Sequence, residues 1–62
     1  MPILQVHLLK GRTADQKRQL VREVTEAVSR SLDVRPDQVR IILSEMDRED
    51  YAIAGTLVAD RS

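Results

Sequence analysis

Two stretches decide the fold: residues 2–9, PILQVHLL, and residues 39–46, VRIILSEM. In the first, Leu4, Val6 and Leu8 share one face while Ile3, Gln5, His7 and Leu9 share the other, the two-residue period of a strand. The second is a β-branched run, which predicts a strand buried on both faces. Between them, Lys10, Gly11 and Arg12 break the alternation, and Thr13 and Gln16 stand at the spacing of a capping box. Leu20, Val21, Val24, Ala27, Val28 and Leu32 then recur at helical spacing, so one apolar stripe runs along about five turns. Lys17, Arg18, Arg22, Glu23, Glu26 and Arg30 occupy the opposite face, with Glu26 and Arg30 placed for an i,i+4 ion pair. Pro36 is expected to end the helix, because the residue before a proline is pushed out of the α region.

Strand, a helix of about 19 residues and strand make a βαβ unit, with a parallel pair and a right-handed crossover. Working outward, Asp47, Arg48, Glu49 and Asp50 read as a charged surface turn. Residues 51–59 read as a weak strand or hairpin around Gly55. The expected class is α/β, one domain over residues 1–62, with no repeat or linker. One helix covers only one face of a two-stranded sheet. The other face and both strand edges are left for neighbouring copies of the chain to complete.

Size and composition point the same way. A 62-residue chain buries only about 60% of its unfolded surface and is marginal alone. It has no cysteine for disulfides and one histidine, His7, too few groups for a closed metal site. Self-association is the remaining reinforcement. Ten basic residues balance ten acidic ones, so no electrostatic excess favours nucleic acid, and a single aromatic ring, Tyr51, offers no stacking platform for bases. Apolar runs such as Ile41, Ile42 and Leu43 are far too short to span a membrane, and Gln5 and His7 interrupt any signal-peptide core. The expectation is a cytoplasmic protein without nucleic-acid or membrane partners.

Conventional catalytic sets are absent: there is no cysteine nucleophile, no nucleophile elbow around Ser29, Ser31, Ser44 or Ser62, and no glycine-rich phosphate loop. Pro2 and Arg40 stand out. Removal of Met1 would leave Pro2 with a free secondary amine. An α-amino group titrates at about 7.7–8.0, and apolar surroundings or nearby cations lower that value, toward the range suited to proton transfer. The competing reading of Pro2 is a strand-opening residue whose missing N–H costs nothing. Arg40 interrupts an otherwise apolar strand. It suits an anion, whose carboxylate it can grip with a planar fork; the competing reading is a strand-end arginine that reaches solvent or a structural carboxylate such as Glu45. Arg12 offers a second cation beside Gly11, or a solvated loop charge.

Taken in order, Met1-Pro2-Ile3, Gly11-Arg12-Thr13, Asp15-Gln16-Lys17, Arg22-Glu23-Val24, Ser29-Arg30-Ser31-Leu32-Asp33, Val39-Arg40-Ile41-Ile42 and Glu45-Met46 resemble the 4-oxalocrotonate tautomerase family along nearly the whole chain. The resemblance implies a βαβ subunit assembled as a homohexamer, a trimer of dimers, in aromatic hydrocarbon catabolism. It implies catalysis without metal or cofactor, with Pro2 as general base and then acid, and with Arg12 and Arg40 binding a small carboxylate substrate across subunits. Leu9 and Tyr51 would wall the pocket, Tyr51 where the family usually has phenylalanine. The implied reaction is enol–keto isomerisation of a 2-hydroxydienoate such as 2-hydroxymuconate. The alternatives are a phenylenolpyruvate-like 2-oxo acid, or a non-catalytic oligomeric module keeping only the fold. After Tyr51 no carboxylate occurs until Asp60, which argues against water-activating relatives. Ala52-Ile53-Ala54-Gly55 replaces a more glycine-rich stretch and is expected to stiffen it.

Overall fold

The computed structural model describes residues 1–61. Its frame is a pair of parallel strands, β1 (Ile3–Leu9) and β2 (Arg40–Met46), joined by helix α1 (Ala14–Leu32) and a 3₁₀ turn at Pro36–Gln38. The register runs from Ile3 opposite Arg40 to Leu9 opposite Met46. The pairing extends at both ends, where the Arg40 amide donates to the Pro2 carbonyl at 3.0 Å and the Lys10 amide to the Met46 carbonyl at 2.9 Å.

The capping box opens α1. The Gln16 amide donates to the Thr13 hydroxyl at 3.1 Å, and the Thr13 amide to the Gln16 side chain at 2.9 Å, so two end groups that the helix itself leaves free are satisfied. The helix stops earlier than Pro36 implies. Asp33 caps it in the left-handed region at φ 55°, a conformation that Asp tolerates better than most residues. The reversal is fastened by the Val34 amide donating to the Ser29 carbonyl at 3.2 Å and by the Ser29 hydroxyl donating back to the Val34 carbonyl. Pro36 instead opens the 3₁₀ turn, where its fixed φ is suited to a first position.

Within the stripe, Leu20, Val21, Val24 and Val28 are half-buried, whereas Ala27 is exposed and Leu32 lies past the packed region at 58% exposure. The i,i+4 pair expected between Glu26 and Arg30 is not among the ion pairs of the described residues. Arg18 instead reaches Asp15 at 2.6 Å, one turn nearer the helix start. The helix is tied to the sheet by Lys17, whose ammonium lies 2.7 Å from the Glu45 carboxylate. That contact fixes the covered face as the one bearing Leu4, Val6, Leu8, Ile41, Leu43 and Glu45.

The other face is uncovered. Within one chain β2 is therefore not buried on both sides: Ile42 is 51% exposed and Ile3 60% exposed. Gln5 and Ser44 are joined there by a 3.0 Å side-chain hydrogen bond. The whole chain shares this openness. Its accessible surface is 4935 Å², against about 4,100 Å² for a compact protein of this mass. Its radius of gyration is 14.7 Å, against about 11 Å for a compact domain of this length. Among the described residues only Val58 is buried, and it keeps 8% exposure.

The last segment forms the expected hairpin. β3 (Ala52–Ile53) pairs antiparallel with β4 (Thr56–Leu57), and a 3₁₀ turn at Val58–Asp60 follows. Ala54 and Gly55 form the connection with φ values of 52° and 82°, the two positive signs that a two-residue turn of this hand requires. Glycine accepts that conformation freely, but alanine does so against its Cβ. The Ala54→Gly variant should therefore raise the unfolding free energy by about 0.5–1 kcal/mol in a denaturant titration; a loss of stability would show that residue 54 is not held left-handed.

Candidate active site

The strand pairing sorts the expected functional residues into two groups. Pro2 precedes β1 and Arg40 opens β2, so the two meet at one end of the sheet through the 3.0 Å hydrogen bond between the Arg40 amide and the Pro2 carbonyl. The Arg40 guanidinium lies on the uncovered face. It does not reach Glu45, which belongs to the helix side and is held by Lys17. Instead its Nη1 lies 3.0 Å from the Met1 sulfur. With Met1 attached, the Pro2 nitrogen is an amide.

Leu9 and Arg12 stand at the far end of β1. Six residue steps separate Ile3 from Leu9, about 20 Å at strand spacing, so one chain cannot bring Arg12 to its own Pro2. At that far end Leu8, Leu9, Gly11, Arg12 and Arg48 line a cleft of about 450 Å³. Leu8 and Arg12 also border a cleft of about 280 Å³ on the helix side with Gln16, Lys17 and Leu20. Gly11, at φ 127°, makes the sharp exit from β1 that turns Arg12 toward both; few residues other than glycine adopt that value.

The charged turn at 47–50 is more ordered than a solvated loop. The Lys10 ammonium lies 3.1 Å from the Asp47 carboxylate, whose hydrogen bond, followed by its charge, raises the Lys10 pKa above the ordinary lysine value. Lys10 is thus a cation already paired. The Asp50 amide donates to the Asp47 carbonyl at 2.9 Å, closing a 3₁₀ turn over Arg48–Asp50. Arg48 Nη2 donates to the Val58 carbonyl at 3.1 Å, and the Val58 amide donates to the Tyr51 carbonyl at 2.8 Å. Tyr51, 43% exposed, is placed by this backbone contact. In the sequence Arg48 carries no signal of its own, because its neighbours Asp47, Glu49 and Asp50 make it part of a solvated charge run. Only the fold sets it beside Arg12.

A separate cleft of about 570 Å³ lies along α1 between Val21, Thr25, Ser29 and Pro36. It contains none of Pro2, Leu9, Arg12, Arg40, Arg48 and Tyr51. No helix of the described residues is long and apolar enough to cross a membrane.

Residues 2–61 match the family model described as tautomerase enzyme. The chain is 49% identical over 59 residues to a 2-hydroxymuconate tautomerase of Pseudomonas putida, covering 95% of this chain and 94% of that one. Among solved structures, it superposes with a TM-score of 0.92 and 55% identity on a 4-oxalocrotonate tautomerase isozyme of Methylibium petroleiphilum, over 94% of this chain and 91% of the other. It also superposes with a TM-score of 0.94 and 29% identity on a heterohexameric 4-oxalocrotonate tautomerase of Chloroflexus aurantiacus, over the full length of both. Matches of this extent, on a βαβ subunit, make the chain a tautomerase enzyme of the 4-oxalocrotonate tautomerase family within the tautomerase superfamily.

Proposed function

We propose that the enzyme isomerises a small 2-hydroxydienoate of the 2-hydroxymuconate type, with Pro2 moving the proton and the site assembled from several copies of the chain. The observation that carries this reading is the separation along β1. Pro2 and Arg40 sit at one end and Leu9 and Arg12 at the other, about 20 Å apart at strand spacing. Only a neighbouring copy can bring the second set to the first. The uncovered sheet face, with Ile3 and Ile42 exposed, supplies an apolar surface for such a neighbour. The name of the Pseudomonas putida relative supports the substrate, and the heterohexamer of the Chloroflexus aurantiacus relative supports a six-subunit assembly, here a trimer of dimers of one chain.

The chemistry follows from the groups. Methionine removal frees the Pro2 nitrogen as a secondary amine, and nearby guanidinium groups disfavour its protonated form. The amine takes the proton of the substrate 2-hydroxyl, and the negative charge spreads through the conjugated dienolate. One guanidinium beside the 2-oxygen stabilises that charge as it develops, as an oxyanion site does. The other holds a carboxylate in a planar fork. The protonated Pro2 then returns the same proton to a carbon of the chain, giving the 2-oxo-3-enoate isomer with no net change in atoms. Leu9 and Tyr51 wall the pocket and limit water around the amine.

Three measurements test this reading. Native mass spectrometry or sedimentation should find a species six times the 7.1 kDa subunit mass; a stable folded monomer at micromolar concentration would remove the assembled site. Intact mass should show Met1 absent from the active enzyme, and Pro2→Ala should lower kcat on 2-hydroxymuconate by at least about tenfold, ~1.4 kcal/mol of barrier. Equal rates would take proline out of the mechanism. Arg12→Ala and Arg40→Ala should each lower kcat/KM on that dicarboxylate by at least about tenfold, and unchanged kinetics in either would remove that arginine from the site.

A further inference from the structure

Two cations border the cleft of about 450 Å³ at the end of β1 without an ion-pair partner among the described residues: Arg12 and Arg48. The remaining nearby cation, Lys10, is paired with Asp47 at 3.1 Å. That pair also anchors the start of the turn carrying Arg48, while the Arg48 Nη2 contact with the Val58 carbonyl at 3.1 Å fixes the guanidinium itself. A guanidinium has five N–H donors in a rigid plane, so one bond to a carbonyl leaves the others free and already oriented. Among the ion pairs of the described residues, none joins it to its acidic neighbours Glu49 and Asp50.

We propose that Arg48 is a specificity-determining residue: with Arg12 it binds the carboxylate at the far end of the substrate and so selects dianionic over monoanionic enol acids. This rests on the proposed reading that Leu9 and Arg12 belong to the substrate pocket, and it narrows the substrate class of that pocket. A single arginine can hold one carboxylate, but two forks on one cleft satisfy more of its acceptor positions. They also concentrate positive charge where a monoanion carrying an apolar tail would bring none to match. The preference therefore depends on the charge at position 48, and not only on the hydrogen bond to Val58.

The two roles can be separated by substitution. Arg48→Gln keeps an amide N–H for the Val58 carbonyl and removes the charge; Arg48→Lys keeps the charge. With 2-hydroxymuconate, Arg48→Gln should raise KM by at least about tenfold with kcat within about twofold, the pattern of lost ground-state binding. With the monoanion phenylenolpyruvate both parameters should stay within about twofold. Arg48→Lys should retain most of the preference for the dianion. Equal losses on both substrates would assign Arg48 a purely structural role and overturn the proposal, as would unchanged kinetics on both. Calorimetric binding of two unreactive acids, the dianion cis,cis-muconate and the monoanion sorbate, makes the result independent of turnover. If the parent enzyme turned over neither substrate, yet muconate binding fell in Arg48→Gln while sorbate binding held, the catalytic reading would fail and the assignment of Arg48 would stand. Muconate binding unaffected by Arg48→Gln would overturn the assignment alone.

Discussion

The parallel pairing of β1 with β2 is the constraint on which everything else depends. Parallel strands need a crossover long enough to return the chain to the same end, and α1 is that crossover. A single helix shields one face of a two-stranded sheet, and the same pairing places Pro2 beside Arg40. It also sends the chain out past Leu9, through the Gly11 turn, to Arg12. The incomplete core and the division of the proposed site therefore have one origin. A longer chain with a second helix would cover the exposed face, but the candidate groups of a single subunit would still stand at opposite ends of a strand.

Electrostatics sharpens this division. The chain carries no net charge, yet the charges are not mixed evenly. Lys10, Lys17, Arg18 and Arg35 each lie against a carboxylate, whereas Arg12, Arg40 and Arg48 do not. Six basic residues take no part in the ion pairs of the described residues: Arg12, Arg40 and Arg48 stand at the two sheet ends where a small anion would be handled, and Arg22, Arg30 and Arg61 lie elsewhere. Exposed pairs such as Lys10 with Asp47 add little stability; here the pair matters more by taking one cation out of competition and fixing the turn that follows.

Much of the fold was legible in the sequence because its signals were local. Alternation at Leu4, Val6 and Leu8 gave β1, the Thr13 and Gln16 spacing gave the helix start, and Gly55 gave the hairpin. The errors came where local rules compete. Pro36 is a strong stop signal, but Asp33 had already reversed the chain by taking a left-handed conformation. The apolar run in β2 reads as two buried faces, which is a statement about an assembly and not about one chain. The candidate site was readable as residue types at Pro2, Arg12 and Arg40. Their grouping was not, because Arg40 falls at the Pro2 end, away from Arg12, only once the register of β1 with β2 is known. Arg48 escaped for a different reason: its contact with Val58 links residues whose proximity no short-range pattern announces.

The contact between the Arg40 guanidinium and the Met1 sulfur gives the first residue a significance beyond its peptide bond. While Met1 is attached, the Pro2 nitrogen has no basic lone pair to offer, and the thioether lies against the neighbouring cation. A newly made chain is thus masked at two adjacent points by one side chain and its linkage. On the proposed reading of Pro2, a single hydrolytic cut would uncover both together, and maturation would resemble the unlocking of a zymogen more than the trimming of a loose end.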